Sequence, residues 1–185
     1  MKDSRLNASD LVDTLTSQIS TQSYAPKTHI DGVKLVELRT FQDDGGAFAE
    51  IIRLDSNGRL QAFPDFQVLQ NSWSVVQPGG IKAFHIHYNQ DDVWFVPPTE
   101  RLLVGLLDAR KNSPTSGASM RLLLGGGVAR LLFIPRGVAH GCANVGNTPN
   151  QLIYFVNQHF DPASPDEHRL PFDVLGADFW SMTPG

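Results

Sequence analysis

From Ile30 onward the chain alternates short apolar stretches with clusters of turn-forming residues, and no helical period is sustained between them. Apolar and β-branched residues gather over 33–39, 49–54, 66–76, 81–87, 93–96, 102–107, 120–124, 131–134 and 151–156. The intervals carry Asp43-Asp44-Gly45-Gly46, Asn57-Gly58, Pro78-Gly79-Gly80, Pro97-Pro98, Ser113-Pro114 and Gly125-Gly126-Gly127. These residue types supply the backbone angles and local hydrogen bonds of tight turns. Many short strands at near-regular spacing predict an all-β sandwich or barrel. The unbroken run Leu102-Leu103-Val104-Gly105-Leu106-Leu107 predicts a strand covered on both faces, or one at a subunit interface.

The first residues have another texture, rich in Ser, Thr, Asn and Gln to about Pro26. Ser9 would cap a short helix that places Leu11, Leu15 and Ile19 on one face, since residues four apart are neighbours on a helix. The pattern predicts a helical or flexible N-terminal extension over 1–29 and one domain over 30–185, with a Pro- and Asp-rich tail after Phe160 wrapping the surface.

Composition narrows the function classes. At 185 residues, 41% hydrophobic and 18% charged, the chain has enough apolar side chains for one packed domain. A formal charge of -4 gives no basic footprint for a nucleic-acid backbone. A single Cys excludes an intramolecular disulfide framework and a multi-cysteine zinc site. No apolar run reaches the ~18 residues of a membrane span, and the start lacks the apolar core of a signal peptide. A soluble, cytoplasmic protein is expected, with neither nucleic acid nor membrane as its partner.

Six histidines remain, and three of them fall in two chemically dense stretches. The first is Gly79-Gly80-Ile81-Lys82-Ala83-Phe84-His85-Ile86-His87, with Asp91 and Asp92 after it. Residues i and i+2 of a strand share a face, so His85 and His87 should project together. The second is Pro135-Arg136-Gly137-Val138-Ala139-His140-Gly141-Cys142-Ala143-Asn144. His29, His159 and His168 have no such context and are expected at the surface. Cys142 is expected to be a buried, inert thiol. Trp73 and Trp94 would line a pocket or pack in the core.

The two stretches resemble the paired motifs of the cupin superfamily. Gly79, His85 and His87 match the first motif, with Asp91 in the place of its Glu, and Pro135, Gly137, His140 and Asn144 match the second. A closer resemblance, from about Val33 to Trp180, is to the dTDP-4-dehydrorhamnose 3,5-epimerase family, itself a cupin branch. It is carried by six blocks in the same order. Asp43-Asp44-Gly45-Gly46-Ala47-Phe48-Ala49-Glu50 is similar to the family's early turn, and Gln70-Asn71-Ser72-Trp73-Ser74 to its Gln-Asp-Asn-x-Ser. Lys82-Ala83-Phe84-His85 resembles Arg-Gly-Leu-His, and the run from Asp108 to Gly117 resembles Asp-x-Arg-x-x-Ser-Pro-Thr-x-Gly. Phe133 to Gly141 resembles Trp-Ile-Pro-x-Gly-Phe-Ala-His-Gly, and Leu152-Ile153-Tyr154 resembles Phe-Leu-Tyr.

The resemblance implies an all-β cupin jelly roll, a homodimer built on exchanged strands, and a nucleotide-sugar substrate. It implies His85 as general base and Tyr154 as general acid, with no cofactor. The residue types suit the task. A histidine of pKa ~6.5 can remove a proton next to a ketone, and a tyrosine of pKa ~10 holds the proton to be returned on the other face. Lys82, in the place of the family's Arg, would donate to the enolate oxygen. Gln70, Ser72 and His87 would contact the substrate, and Asp108-Ala109-Arg110 would form a structural turn and ion pair. The family's late Asp, which orients the catalytic His, finds no match, and Asp91 or Asp173 is left to take that part.

Two other readings stay open. The family usually has Gln where His87 stands, and His-x-His is the metal-binding cupin pattern. His85, His87, Asp91 and His140 would then hold a divalent transition metal, in an isomerase or oxygenase acting on a small carbonyl compound. Alternatively the chain is a non-catalytic sugar-nucleotide-binding cupin.

Overall fold

In a computed structural model, residues 5–24 and 28–183 are described. Fourteen strands are present among them: β1 Lys34–Glu37, β2 Thr40–Asp43, β3 Gly46–Ala49, β4 Arg59–Leu60, β5 Phe63–Gln67, β6 Gln70–Val76 and β7 Ile81–Ile86, then β8 Asp92–Phe95, β9 Arg101–Asp108, β10 Ser119–Gly125, β11 Arg130–Ile134, β12 Val138–Ala143, β13 Asn150–Val156 and β14 His168–Arg169. Two five-stranded antiparallel sheets pack face to face, in the orders β1-β11-β8-β13-β6 and β10-β9-β12-β7-β14. The hairpins β2-β3 and β4-β5 stand apart from both sheets.

Strand periodicity explains how one chain covers three apolar layers. Along β9, Leu102, Val104 and Leu106 join the cluster between the sheets, together with Trp94, Leu132, Ile134 and Leu152. The alternate residues Leu103 and Leu107 turn outward onto Phe84 and Trp180. On the other sheet, Val93, Phe95, Leu131 and Phe155 turn outward beneath Leu60, Phe63 and Phe66 of the β4-β5 hairpin. The run at 102–107 is therefore covered on both faces within one chain, by the opposite sheet and by the C-terminal 3-10 turn Ala177–Trp180. Gly105 makes that seat possible, because a Cβ there would lie 2.5 Å from Phe179 and 2.6 Å from Trp180.

The N-terminal helix differs from expectation. Asn7, not Ser9, caps a 3-10 turn over Ala8–Asp10, and the α-helix that follows has only the four residues Asp13–Thr16. Leu11, Leu15 and Ile19 remain exposed, so no apolar face is buried to extend the helix. The expected boundary near Pro26 lies outside the described residues. The first buried residue among those described is Ile30. Residues 49–54 are not a strand beyond Ala49, apart from an isolated bridge between Leu54 and Leu60. No helix among the described residues is long and apolar enough to cross a membrane.

Candidate active site

A cavity of about 700 Å³ opens at one end of the sandwich, between the facing sheets. Lys82, His85 and His87 line it from β7 and the residue after it, and His140 and Cys142 from β12. Gln70, Ser74, Leu152 and Tyr154 line the opposite wall, from β6 and β13. A strap of chain over 158–167 closes one side, contributing Phe160, Asp161, Ser164, Asp166 and Glu167.

Regular alternation would not set Lys82 and His85 on the same wall, since they are three residues apart. A register shift in the β7–β12 pairing does so: His140 faces His85, whereas Cys142 faces Lys82. The extra residue lets Ala83 and Phe84 both turn toward the outer layer around Trp180. Gly141 stands opposite this irregularity. A Cβ on Gly141 would fall 2.3 Å from the Ala83 Cβ and 2.7 Å from its backbone, so the bulge requires glycine there.

His85 has a carboxylate partner. Its Nδ1 lies 3.2 Å from Glu167 Oε1, with the His85 side chain one-quarter exposed. The short strand β14 pairs with the edge of β7, Arg169 opposite His85 and His168 opposite Ile86, and this carries Glu167 to the imidazole. Burial is the largest influence on His85 and lowers its pKa from 6.5 to about 4. His140 and Arg169 act in the same direction, and Glu167 opposes them. His85 is therefore neutral near pH 7 and able to accept a proton. Glu167 bonds Arg169 as well, 2.5 Å away.

The other proposed ligands separate. Asp91 is turned out of the cavity: it accepts from the Arg136 backbone N–H and guanidinium at 2.8–3.0 Å and from Asn157 at 3.0 Å. The four-residue metal set His85, His87, Asp91 and His140 is thus not assembled, since Arg136 holds Asp91 away from the histidines. Asp173 is exposed and does not reach His85 either. Asp92, the next residue, points inward instead. It is buried with His87 and His140, and one ligand atom from each of the three falls within 4.8 Å of the others.

Side chains around the cavity hold one another in place. Gln70 donates to Ser72 Oγ at 3.1 Å and accepts from the Phe160 backbone at 3.0 Å. Ser72 does not line the cavity; Ser74 does, accepting a 2.7 Å hydrogen bond from Lys82 Nζ. Among the described lining residues Lys82 is the only Lys or Arg. Asp166 accepts from the backbone N–H groups of Tyr88, Asn89 and Gln90 at 2.7–3.0 Å, which ties the strap to the loop after β7. Cys142 is buried, and burial pushes its thiol up to about 12, so it is an unreactive wall. Trp94 packs in the core and edges onto His140, whereas Trp73 is exposed. His159 is exposed, as expected, and also lines the cavity. His168 stacks on Tyr88 at 4.1 Å.

Outside the cavity, Asp108 and Arg110 form the expected turn. Arg110 Nε and Nη2 bond the Asp108 carboxylate at 2.8 and 2.9 Å, and the Ser113 and Thr115 hydroxyls complete its shell.

Of the residues missed in the sequence, Asp92 had a signal, since it follows the His-x-His pair by one residue more than Asp91. Glu167 had none, because nothing local to the tail marks it.

Comparison with known proteins agrees with the geometry. The sequence model of the dTDP-4-dehydrorhamnose 3,5-epimerase family matches residues 27–175. The chain is 46% identical over 144 residues to the spore coat polysaccharide biosynthesis protein SpsL of Bacillus subtilis, covering 78% of this chain and 91% of that one. It is 30% identical over 145 residues to the probable low-salt glycan biosynthesis epimerase Agl13 of Haloferax volcanii, covering 78% and 90%. The crystal structure of a dTDP sugar isomerase from Desulfovibrio desulfuricans superposes with a TM-score of 0.68 at 32% identity, over 79% of this chain and 88% of that one. With the cupin jelly roll and the six sequence blocks in place, the chain belongs to the dTDP-4-dehydrorhamnose 3,5-epimerase family.

Proposed function

We propose that this protein epimerises a nucleotide-linked 4-keto-6-deoxysugar at carbon 3, carbon 5 or both, with His85 as general base and Tyr154 as general acid. The observation that carries this reading is the placement of the two side chains on facing sheets, His85 on β7 and Tyr154 on β13, with one cavity between them. Inversion at carbon requires a proton to leave one face and another to arrive on the opposite face. A base and an acid on opposing walls meet that requirement.

His85 is neutral and takes the proton adjacent to the ketone. The Glu167 carboxylate 3.2 Å from Nδ1 favours the proton on that nitrogen, so the lone pair on Nε2 is the one presented. The electron pair left on carbon moves into the carbonyl, forming an enolate. Lys82 is the cation in the described lining that can donate to its oxygen. Tyr154 returns a proton to the far face; its phenolate is then reprotonated from solvent and the His85 imidazolium releases its proton to solvent, which restores both groups. Protons balance without an organic cofactor. Gln70 and His87 contact the sugar or nucleotide, with Ser72 fixing the Gln70 amide.

The catalytic unit in this reading is residues 30–185, preceded by the extension 1–29. Its product enters polysaccharide synthesis, as the name of the Bacillus relative suggests, and a cytoplasmic location is part of the same proposal. The exposed Phe41 and Phe48 of the β2-β3 hairpin support a homodimer.

The test is incubation with a dTDP-4-keto-6-deoxyglucose in deuterium oxide. Deuterium should enter at carbon 3 or 5 and the product should be inverted. Tyr154→Phe should retain exchange while losing inversion, because His85 can return deuterium only to the face it came from. No exchange by the parent, or equal exchange by His85→Ala, would overturn the mechanism.

A further inference from the structure

The chain's own tail covers the outer face of the sheet that carries His85, and the packing there bears on the base. β14 is only two residues long, yet it brings Glu167 to the imidazole. Two backbone hydrogen bonds follow it: Leu170 N–H donates to the Phe84 carbonyl at 3.0 Å, and Phe84 N–H donates to the Leu170 carbonyl at 3.3 Å. So short an edge strand gains little from its ladder, because each bond replaces one made to water. Side-chain burial has to hold it.

That burial centres on Phe84, the residue before His85, which is fully buried. The Trp180 ring lies 5.2 Å from the Phe84 ring, and the Phe179 ring 5.9 Å from it. Leu170 and Leu175 pack into the same cluster. The polar end of the Trp180 side chain holds the tail, its indole N–H donating to the Phe172 carbonyl at 2.8 Å. Trp180 thus spans from the strand of the base to the segment just beyond Leu170. Arg121 secures the turn from β10, donating to the Ser181 carbonyl at 2.5 Å and lying 5.8 Å over the Phe179 ring. On the other side of Glu167, Asp166 is fixed by the N–H groups of Tyr88, Asn89 and Gln90. Glu167 is therefore held between two anchors, and Trp180 closes the second.

We infer that Trp180 is a positioning residue for the proposed base: seated on Phe84 and bonded to Phe172, it keeps β14 paired with β7 and so keeps Glu167 at His85 Nδ1. Its effect on rate rests on the epimerase reading, whereas its effect on the β14 pairing does not. Trp180 does not line the cavity, so its contribution passes through the sheet, from the outer layer to the cavity wall. Removing the indole leaves a void behind Phe84 and frees the Phe172 carbonyl. β14 can then leave the edge of β7 while the two sheets stay folded.

Trp180→Ala and Glu167→Gln are made singly and together, and initial rates are measured with a dTDP-4-keto-6-deoxyglucose. Trp180→Ala should lower kcat about ten- to a hundredfold, the scale of a small misplacement at the reacting centre, with KM within about twofold. In the Glu167→Gln background the same change should cost little more, since the contact that Trp180 preserves is already lost. Trp180→Phe, which keeps a ring on Phe84, should restore most of the rate. Amide hydrogen exchange of the substrate-free protein reads the pairing directly. Phe84 and Leu170 should exchange faster in Trp180→Ala, while the amides of β13 on the opposite sheet keep their protection. Should Trp180→Ala fail to fold, Trp180→Leu, which keeps apolar cover, is read in the same way. Unchanged exchange at Phe84 and Leu170 overturns the inference, and so does an equal loss of kcat with and without the Glu167 carboxylate. A parent without turnover overturns the epimerase reading instead, and the exchange result still decides whether Trp180 holds β14.

Discussion

Glu167 Oε1 lies 3.2 Å from His85 Nδ1, joining the tail of the chain to the strand that carries the first histidine motif. In the proposed mechanism the carboxylate favours the proton on Nδ1 and supports the imidazolium that forms when His85 accepts a second one. Glu167→Gln keeps the size but removes the charge. It should lower kcat by about ten- to a hundredfold with little change in KM, less than the ~10²–10⁴ expected from losing the base itself. The variant should also move the acidic limb of the rate profile to lower pH, because Glu167 is the group that raises the His85 pKa. An unmoved limb would reduce Glu167 to a structural contact.

The rate profile of the parent should carry the imprint of burial. As the proposed base His85 must be unprotonated to act, and burial holds its pKa at about 4 rather than 6.5. Activity should therefore persist through pH 6 and fall only as the pH drops toward about 4. The stability sign is separate. Between these two values the unfolded chain binds a proton that folded His85 refuses, so His85 lowers stability as pH falls through 6.5 and the effect levels off below about 4. Initial rates in a constant-ionic-strength buffer series, with a stability control at each pH, separate the two effects.

Asp108 acts in the opposite direction. Its hydrogen bond to Arg110 outweighs burial, and with Ser113 and Thr115 holds the carboxyl well below its ordinary 3.8. A depressed folded value stabilises the fold above the ordinary carboxylate range, and that contribution is lost as pH falls through the lower folded value. Asp108→Asn should cost about 2–3 kcal/mol at neutral pH, the scale of a charged hydrogen-bonded contact. Urea midpoints should show the gap between variant and parent narrowing below about pH 4, as Asp108 in the unfolded parent binds a proton that the folded carboxylate refuses.

Gly141→Ala tests the bulge that brings Lys82 and His85 to one wall. The added Cβ would meet the Ala83 Cβ at 2.3 Å, with backbone close behind, so neither neighbour can simply rotate away. A loss of about 1–3 kcal/mol is expected from overpacking. Because the strain falls on β7, activity should drop further than the folded fraction does. A variant as stable and as active as the parent would remove the bulge from the account.

Much of this protein was legible in the chain because it depends on neighbours in sequence. Alternation along β8, β9, β11 and β13 sends successive side chains to opposite faces, so the strands and their apolar cover could be read directly. The same periodicity put His85 and His87 on one face, and the motif spacing led to the family. The N-terminal helix is shorter than its spacing predicts because Leu11, Leu15 and Ile19 remain exposed.

Tertiary structure decided what local pattern leaves open. Asp91 and Asp92 are adjacent carboxylates in the sequence, and only the path of the chain gives one to Arg136 and the other to the histidines. Ser72 and Ser74 lie on the same face of β6, and the edge of the cavity selects Ser74. Glu167 reaches His85 because β14 happens to pair with the edge of β7, a contact between distant segments that neither segment encodes alone. Short-range sterics and side-chain alternation made the strands and the position of His85 readable. Long-range packing chose the carboxylates around it.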